Sequence, residues 1–230
     1  MSLFEAMIGV LALADCVACG QEGASLCEPC AAAEILAYGE RCYLCGTLSP
    51  RSRTCPRCRP SSPSHVFITT DYHSVAKELI RAYKFHHQRE AAGAIVEQMV
   101  DTLRTHNDLE NLIEQKLLII PVPTATSRRR ARSFDHAELL ARILAARLNL
   151  ETGPFLGRLG QSRQVGARKS DRLRQQAGNY YVRQPDKIKG RKILLIDDVV
   201  TTGATLRATT KVLRAAGARS VDALVFAKRI

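Results

Sequence analysis

The sequence predicts an α/β fold, in which a parallel sheet is flanked by helices and preceded by a small cysteine-rich module. Two observations carry this prediction. Apolar strand-like runs alternate with helical runs beyond residue 65, and all eight cysteines lie before residue 59. Strands that alternate with helices favour a doubly wound parallel sheet. A chain of 230 residues has room for one ordinary domain and one such module.

The predicted elements follow in chain order. Residues 1–14 are predicted to form a short helix that packs on the module or on the main domain. Strands are predicted at 66–70, 116–123, 179–182, 193–199 and 221–227, and helices at 74–85, 90–103, 133–148 and 205–216. The helix at 74–85 presents Val75, Leu79, Ile80 and Tyr83 on one face. Prolines and serines between residues 59 and 64 indicate a linker, which divides the chain into domains at 1–60 and 65–230.

The most informative segment is the strand at 193–199 with the residues that follow it. Its unbroken apolar start is typical of a strand that is covered on both faces. Asp197 and Asp198 come at its carboxyl end, where open α/β sheets bind their ligands. Residues 201–205, Thr-Thr-Gly-Ala-Thr, then lead into a helix whose first amides favour a phosphate. The alternative is a solvated turn followed by a simple helix cap.

This order of strand, acids, loop and helix resembles the phosphoribosyl pyrophosphate (PRPP) motif of type I phosphoribosyltransferases. The resemblance implies that Asp197 and Asp198 bind the ribose hydroxyls, partly through the hydration shell of Mg²⁺, and form the catalytic pair. It also implies that the loop holds the 5-phosphate. The PRPP-binding segment implied in this way comprises Val199, Val200, Thr201, Thr202, Gly203, Ala204 and Thr205.

The eight cysteines form four C-x-x-C pairs, which are Cys16/Cys19, Cys27/Cys30, Cys42/Cys45 and Cys55/Cys58. Two such pairs complete a tetrahedral zinc site, and two successive zinc ribbons are predicted, with interleaved pairing as the alternative. Four sulfur ligands leave no open position for catalysis, so both zinc ions are predicted to be structural. Disulfides would require an oxidising compartment, to which nothing at the N-terminus directs the chain. The sequence therefore predicts a cytoplasmic protein without membrane insertion.

The net charge of +12 is concentrated in one part of the chain. Residues 1–60 carry −1 and residues 61–123 carry −2, whereas residues 124–176 carry +8 and residues 177–230 carry +7. Arg128, Arg129 and Arg130 belong to the densest cluster and are predicted to bind PRPP. A polyanionic sugar phosphate and single-stranded DNA are alternative ligands for this charge.

A double zinc ribbon joined to such a domain resembles the ComF family, which includes competence proteins of natural transformation. Three further segments are similar to those of the family: residues 83–85, Tyr-Lys-Phe; residues 121–141, from Pro-Val-Pro to Ala141; and Arg158 with Gln164 and Arg172. The resemblance implies a role in DNA uptake, with PRPP, single-stranded DNA and protein partners. It leaves open whether the protein catalyses transfer to a base or only senses PRPP. Ser133, Asp135, His136 and Gln175 depart from the family pattern.

Overall fold

The computed structural model describes residues 14–85, 89–106, 109–115, 117–123, 135–159 and 180–229. A five-stranded parallel sheet forms the centre of the described chain. Its strands are β1 (Val66–Asp71), β2 (Leu118–Pro121), β3 (Glu151–Thr152), β6 (Lys192–Val200) and β7 (Ser220–Lys228). Their order is β1-β7-β6-β2-β3, so the last strand of the chain lies inside the sheet. The predicted parallel sheet is confirmed.

A second, two-stranded antiparallel sheet pairs β4 (Leu156–Arg158) with β5 (Tyr180–Val182). The described helices are α1 (Glu28–Glu34), α2 (Ser74–Phe85), α3 (Arg89–Thr105), α4 (Leu109–Glu114), α5 (His136–Leu148) and α6 (Ala204–Ala215). Short 3₁₀ turns cover Arg59–Ser61 and Pro185–Lys187.

The predicted elements agree with these bounds to within a few residues, with two differences. The helix predicted from residue 133 begins at His136, because Asp135 has extended backbone angles and occupies the N-cap position. The strand predicted at 116–123 is shorter and covers Leu118–Pro121. Elements α1, α4, β3 and β4 were not predicted, and the helix predicted at 1–14 lies almost wholly outside the described residues.

The two faces of the sheet are both covered, as the apolar run of β6 predicts. Leu194 and Ile196 join a hydrophobic cluster that contains residues of α2, α3 and α5. Ile193 and Leu195 point the other way and join a second cluster with residues of α6. All four side chains are completely buried. Since side chains alternate along a strand, this burial on both faces explains the unbroken apolar sequence.

The N-terminal segment packs against both faces of the sheet. Cys16 and Leu26 join the cluster of α2, α3 and α5, whereas Tyr43 joins the cluster of α6. The Tyr38 amide donates to the Thr69 carbonyl of β1 at 3.0 Å, which places the segment beside the sheet edge. The division into domains at residues 60–65 stays a prediction. In the described ranges no helix combines the length and the apolar character needed to cross a membrane.

Candidate functional site

A cleft of about 300 Å³ opens at the carboxyl ends of β2 and β6. The residues of the predicted PRPP segment that line it are Asp197, Asp198, Val199, Thr201 and Thr205. The remaining members lie close by: Thr202 and Ala204 are exposed, whereas Val200 and Gly203 are buried. The structure therefore brings the two acids and the hydroxyl-bearing residues Thr201 and Thr205 to one cleft. Residues 201–205 are called the phosphate loop below, after their predicted role.

The two adjacent acids stand in different environments. Asp198 is 9% exposed, and one of its carboxylate oxygens lies 2.6 Å from the ammonium nitrogen of Lys84. Asp197 accepts a hydrogen bond from the Asp198 amide at 2.9 Å. Burial, and then the nearby charge of Asp198, raises the pKa of Asp197 well above its ordinary value. Such a pair favours a cation, because a cation would relieve the repulsion between the two carboxylates.

The phosphate loop is shaped by Gly203, which has φ +69° and occupies the N-cap position of α6. This left-handed conformation is readily adopted by glycine and costs other residues energy. The Gly203 carbonyl accepts the first helical hydrogen bond from Arg207 at 3.0 Å. The first amides of a helix have no intrahelical acceptors, and the helix dipole makes this end positive. The loop is therefore suited to an anion.

Strand β7 supports the phosphate loop from the side. Lys228 donates a hydrogen bond from its ammonium group to the Thr201 carbonyl. Burial lowers the pKa of Lys228 from its ordinary value. The next residue, Arg229, donates its amide to the Val200 carbonyl at 2.9 Å. These contacts fix the start of the loop against the adjacent strand.

Cationic and aromatic side chains complete the cleft. The Arg158 guanidinium lies 5.3 Å from the centre of the Tyr180 ring, and the Arg229 guanidinium lies 5.7 Å from the centre of the Tyr72 ring. All four residues line the cleft. Acids at the end of β6, a loop suited to phosphate and two arginines can together bind a polyanionic sugar through a metal ion.

Lys84 is a cleft residue to which sequence reasoning gave no role, because it was noted only as part of a family resemblance. In a regular β-α-β unit the helix runs back along the sheet, so its last turn ends far from the carboxyl edge. Here α2 ends at that edge, as the contact between Lys84 and Asp198 shows. The following helix α3 packs along β1 and β7 instead. The length of α2 does not predict that the helix ends at the carboxyl edge of the sheet.

The end of α2 is joined to the start of α5 by two aromatic residues. Tyr83 donates a hydrogen bond from its hydroxyl to the His136 carbonyl, and the two rings meet edge to face at 5.1 Å. His136 lines the cleft and is 3% exposed. Asp135 occupies the helix N-cap position without a side-chain cap hydrogen bond. Of the departures from the family pattern, His136 therefore lines the cleft, and Asp135 precedes it in the chain.

Several predicted site residues lie outside the described residues. These are Arg128, Arg129, Arg130, Ser133, Gln164, Arg172 and Gln175. Their predicted roles stay predictions. Arg158, Gln164 and Arg172 form one of the segments that resemble the family. Of these three residues the structure describes Arg158, which lines the cleft.

We expect Lys84→Met to destabilise the protein, because it leaves the carboxylate of Asp198 without its cation. Both side chains keep some exposure, 19% for Lys84 and 13% for Asp198. We therefore expect a loss of about 1–2 kcal/mol, below that of a fully buried pair. Thermal unfolding should show less than additive losses when Lys84→Met is combined with Asp198→Asn. Lys77→Met, on the exposed face of the same helix, is the control. Additive losses would contradict this pairing.

The eight cysteines form two groups in the structure. The first cysteine group consists of Cys16, Cys19, Cys27 and Cys30, and the second cysteine group consists of Cys42, Cys45, Cys55 and Cys58. The sulfur atoms within each group lie within 4.8 Å of one another. This is the successive arrangement that the sequence predicts, and the interleaved alternative is wrong.

The sulfur positions fit a tetrahedral metal ion. The sulfurs of Cys19 and Cys27 are 3.8 Å apart, and those of Cys45 and Cys55 are 3.6 Å apart. Sulfurs bound to a tetrahedral zinc ion at about 2.3 Å stand about 3.8 Å from one another. Each group could therefore hold a zinc ion.

The thiols of the second cysteine group differ in acidity. The hydroxyl of Thr47, whose oxygen lies 3.4 Å from the Cys45 sulfur, lowers the pKa of Cys45 to about 6. Burial, followed by hydrogen bonding with Cys55 and Cys45, raises the pKa of Cys58 to about 12. Thiolate is the form that ligates metal, and neighbouring thiolates repel one another until a cation joins them.

Comparisons with known proteins agree with this geometry. The phosphoribosyl transferase domain family matches residues 135–230. Competence protein F of Haemophilus influenzae is 29% identical over 79% of this chain and 81% of its own length. The DNA utilization protein YhgH of Shigella flexneri is 25% identical over 86% of this chain and 94% of its own length. Both relatives and the matched domain support a ComF-family protein with a phosphoribosyltransferase domain.

Solved structures that resemble this chain do so at low identity. A Thermus thermophilus protein, TT1426, is 19% identical, with a TM-score of 0.34 over 60% of this chain and 72% of its own. The allosteric regulatory enzyme of purine biosynthesis is also 19% identical, with a TM-score of 0.34 over 51% of this chain and 24% of its own.

Proposed function

We propose that this protein, like its ComF-type relatives, has a role in the uptake or use of DNA, and that it binds PRPP with Mg²⁺ at the carboxyl edge of its sheet. The observation that carries the proposal is the cleft itself, in which Asp197 and Asp198 are followed, after four intervening residues, by the glycine that begins a helix. Asp197 and Asp198 would take the ribose hydroxyls, and residues 201–205 would take the 5-phosphate through helix amides and hydroxyls.

Magnesium fits this donor set because it prefers carboxylate oxygens and usually keeps several water ligands. A bound Mg²⁺ would neutralise the diphosphate of PRPP. The same cation would stabilise Asp197 in its charged form, which burial and Asp198 oppose in the free protein. Arg158 and Arg229 line the same cleft and would neutralise the phosphates that extend from the ribose. Arg128, Arg129 and Arg130 are proposed to add to this charge.

Zinc is the metal that best suits the two cysteine groups, because four thiolates in tetrahedral geometry are typical of structural zinc sites. Each group would hold one ion. With four protein ligands the ions would stabilise the fold of the N-terminal segment and would leave no position for substrate. Such thiolate sites persist in a reducing compartment, so we place the protein in the cytoplasm.

Charge supports the DNA part of the proposal. Residues 41–60, which contain the second cysteine group, carry five arginines and no acid, whereas residues 14–40 carry five acids and no lysine or arginine. Arg207, Lys211 and Arg214 share one face of α6, and the Arg214 guanidinium donates to the carbonyls of Pro60 and Ser62 at 3.1 and 2.7 Å. The basic half of the N-terminal segment thus adjoins the helix that begins at the phosphate loop. The names of the competence and DNA utilization relatives agree with a DNA ligand.

This basic face leads to an expected salt dependence. Replacing Arg57, Arg59 and Arg207 with glutamine should weaken binding of single-stranded DNA and flatten the plot of log affinity against log salt. Each phosphate that the protein no longer neutralises lowers the slope of this plot by about 0.7, so three such phosphates lower it by about 2. Fluorescence anisotropy at several salt concentrations measures this change. Glu22→Gln with Glu28→Gln, on the acidic half, is the control and should leave the slope unchanged. An unaltered slope in the arginine variant would contradict DNA binding on this face.

Two other uses of the same site are a phosphoribosyltransferase and a PRPP sensor. All three bind PRPP, and only the transferase consumes it. The deciding experiment incubates the pure protein with PRPP, Mg²⁺ and a panel of nucleobases. It measures the pyrophosphate that is released and, by equilibrium dialysis, the PRPP that stays bound to the protein. Release that depends on one base identifies a transferase. Retention without release identifies binding or sensing. Neither retention nor release would contradict the proposed PRPP site.

A further inference from the structure

The second cysteine group touches the phosphate loop directly. The two residues between Cys42 and Cys45 are Tyr43 and Leu44, and their side chains meet Gly203. A β-carbon placed on Gly203 would lie 2.6 Å from Cδ2 of Leu44 and 2.6 Å from Cε2 of Tyr43. Real β-carbons essentially never come so close to other atoms, so the turn of the cysteine group and the loop are in full contact at this point.

Tyr43 also shares a hydrophobic cluster with the residues that flank the phosphate loop. It is 3% exposed and belongs to the same hydrophobic cluster as Val200, which precedes the loop, and Leu206, which follows it. Leu44 packs against this cluster while partly exposed. The ring of Tyr43 therefore acts on the loop by packing. The turn between Cys42 and Cys45 therefore supports the loop from behind.

The first cysteine group has a different position. Cys16 and Leu26 pack in the cluster on the opposite face of the sheet, with residues of α2 and α3. Val17, inside the turn between Cys16 and Cys19, also packs against that cluster. The two groups have the same chemistry but contact different faces of the sheet, which makes the first a natural control for the second.

The contact with Tyr43 and Leu44 is at Gly203, where a small shift of the backbone would change the direction of the first helix amides. Gly203 is the N-cap of α6, and its left-handed backbone sets the direction of the amides that would hold a phosphate. A binding site works only when its groups are held within about 0.5 Å of their productive positions by the residues behind them. If the turn between Cys42 and Cys45 were less ordered, the phosphate loop would lose side-chain packing that holds Gly203 in position.

We propose that Tyr43 and Leu44 are positioning residues of the phosphate loop, so that metal binding by the second cysteine group, and not by the first, sets the affinity for the 5-phosphate of PRPP. This inference rests on the proposed function, which places that phosphate at residues 201–205. The metal would act through these two side chains, since it orders the turn that carries them.

The first test uses matched cysteine variants. Cys45→Ser and Cys19→Ser each remove the second cysteine of the first C-x-x-C pair in its group, and both cysteines are exposed. We expect Cys45→Ser to weaken binding of ribose 5-phosphate by about 10-fold or more, and Cys19→Ser to change it by less than about 2-fold. Pyrophosphate, which would bind away from the loop, should keep its affinity in both variants. Isothermal titration of the two variants and the wild-type protein, all purified in the presence of zinc, measures both affinities.

The second test leaves every cysteine in place. Leu44→Ala removes the side chain that meets Gly203 and should retain the zinc content of the wild-type protein. We expect ribose 5-phosphate affinity to fall by about 3- to 10-fold and pyrophosphate affinity to stay the same. Val17→Ala, the partly buried counterpart in the first cysteine group, should leave both affinities unchanged.

The outcomes separate this inference from the proposed function. If the wild-type protein binds neither PRPP nor ribose 5-phosphate, the proposed function is wrong and the inference falls with it. If the wild-type protein binds both ligands, and Leu44→Ala and Cys45→Ser bind ribose 5-phosphate as tightly as the wild-type protein does, only the inference is overturned. Equal losses in Cys19→Ser and Cys45→Ser, or a parallel loss of pyrophosphate affinity, would indicate general unfolding and would also overturn it.

Discussion

Replacing both Asp197 and Asp198 with asparagine is expected to lower PRPP affinity by about 100-fold or more, because the magnesium-bound ligand loses two charged oxygen donors. The two side chains keep their size, so the cleft keeps its shape. Calorimetric titration with PRPP and excess Mg²⁺ measures the loss. Asp186→Asn, on the exposed turn at Pro185–Lys187, is the control and should bind as the wild-type protein does. Unchanged affinity in the double variant would remove the assignment of these acids.

The single variant Asp197→Asn should be more stable against unfolding than the wild-type protein, although it binds PRPP less tightly. Because the pKa of Asp197 is raised in the folded protein, the folded state holds this proton more tightly than the unfolded chain. Stability therefore falls as the pH rises from the ordinary value, 3.8, through the raised one. Asp197→Asn removes that loss and should raise Tm at pH 7 by about 2–4 °C for each kcal/mol regained. A variant that is more stable and binds less PRPP excludes misfolding as the cause.

Zinc content is expected to be two ions per chain, one in each cysteine group. Cys42→Ser should lose the ion of the second group, and Cys16→Ser should lose the ion of the first, because three thiolates no longer complete a tetrahedral site. Both cysteines are buried. Structural zinc contributes about 10–16 kcal/mol to folding in small finger peptides, so a strong chelator should unfold the N-terminal segment.

Elemental analysis of the purified proteins measures these losses, and far-UV circular dichroism follows the effect of the chelator. Gln21→Ala, an exposed residue inside the first cysteine group, is the control and should retain two ions. One ion per chain in the wild-type protein, or the loss of both ions from either variant, would contradict two independent sites.

Much of the fold follows from the sequence because its signals are local. The apolar run of β6 has both faces buried, and this pattern alone predicts an interior parallel strand. The spacing of the cysteines predicts their grouping, since the first C-x-x-C pair groups with the second, and the third groups with the fourth. The acids and the phosphate loop were predictable for the same reason, because they are consecutive in the sequence.

The features that were missed depend on contacts between distant segments. Strand β3 has two residues and β4 has three, which is too short for any periodic signal. Lys84 and Asp198 are far apart in the chain and meet only because α2 ends at the carboxyl edge of the sheet. The contact of Tyr43 and Leu44 with Gly203 likewise joins the N-terminal segment to the last helix. No motif records such a contact, because each residue alone has an ordinary local role.

The most direct test of the PRPP site is a calorimetric titration of the wild-type protein with PRPP, carried out with Mg²⁺ and again with a chelator in its place that spares zinc. The site described here predicts one PRPP per chain, with binding that weakens by about 10-fold or more when Mg²⁺ is removed. Ribose 5-phosphate should compete with PRPP, since both would place a phosphate at residues 201–205. Absence of PRPP binding in the presence of Mg²⁺, from protein that retains two zinc ions, would contradict the account.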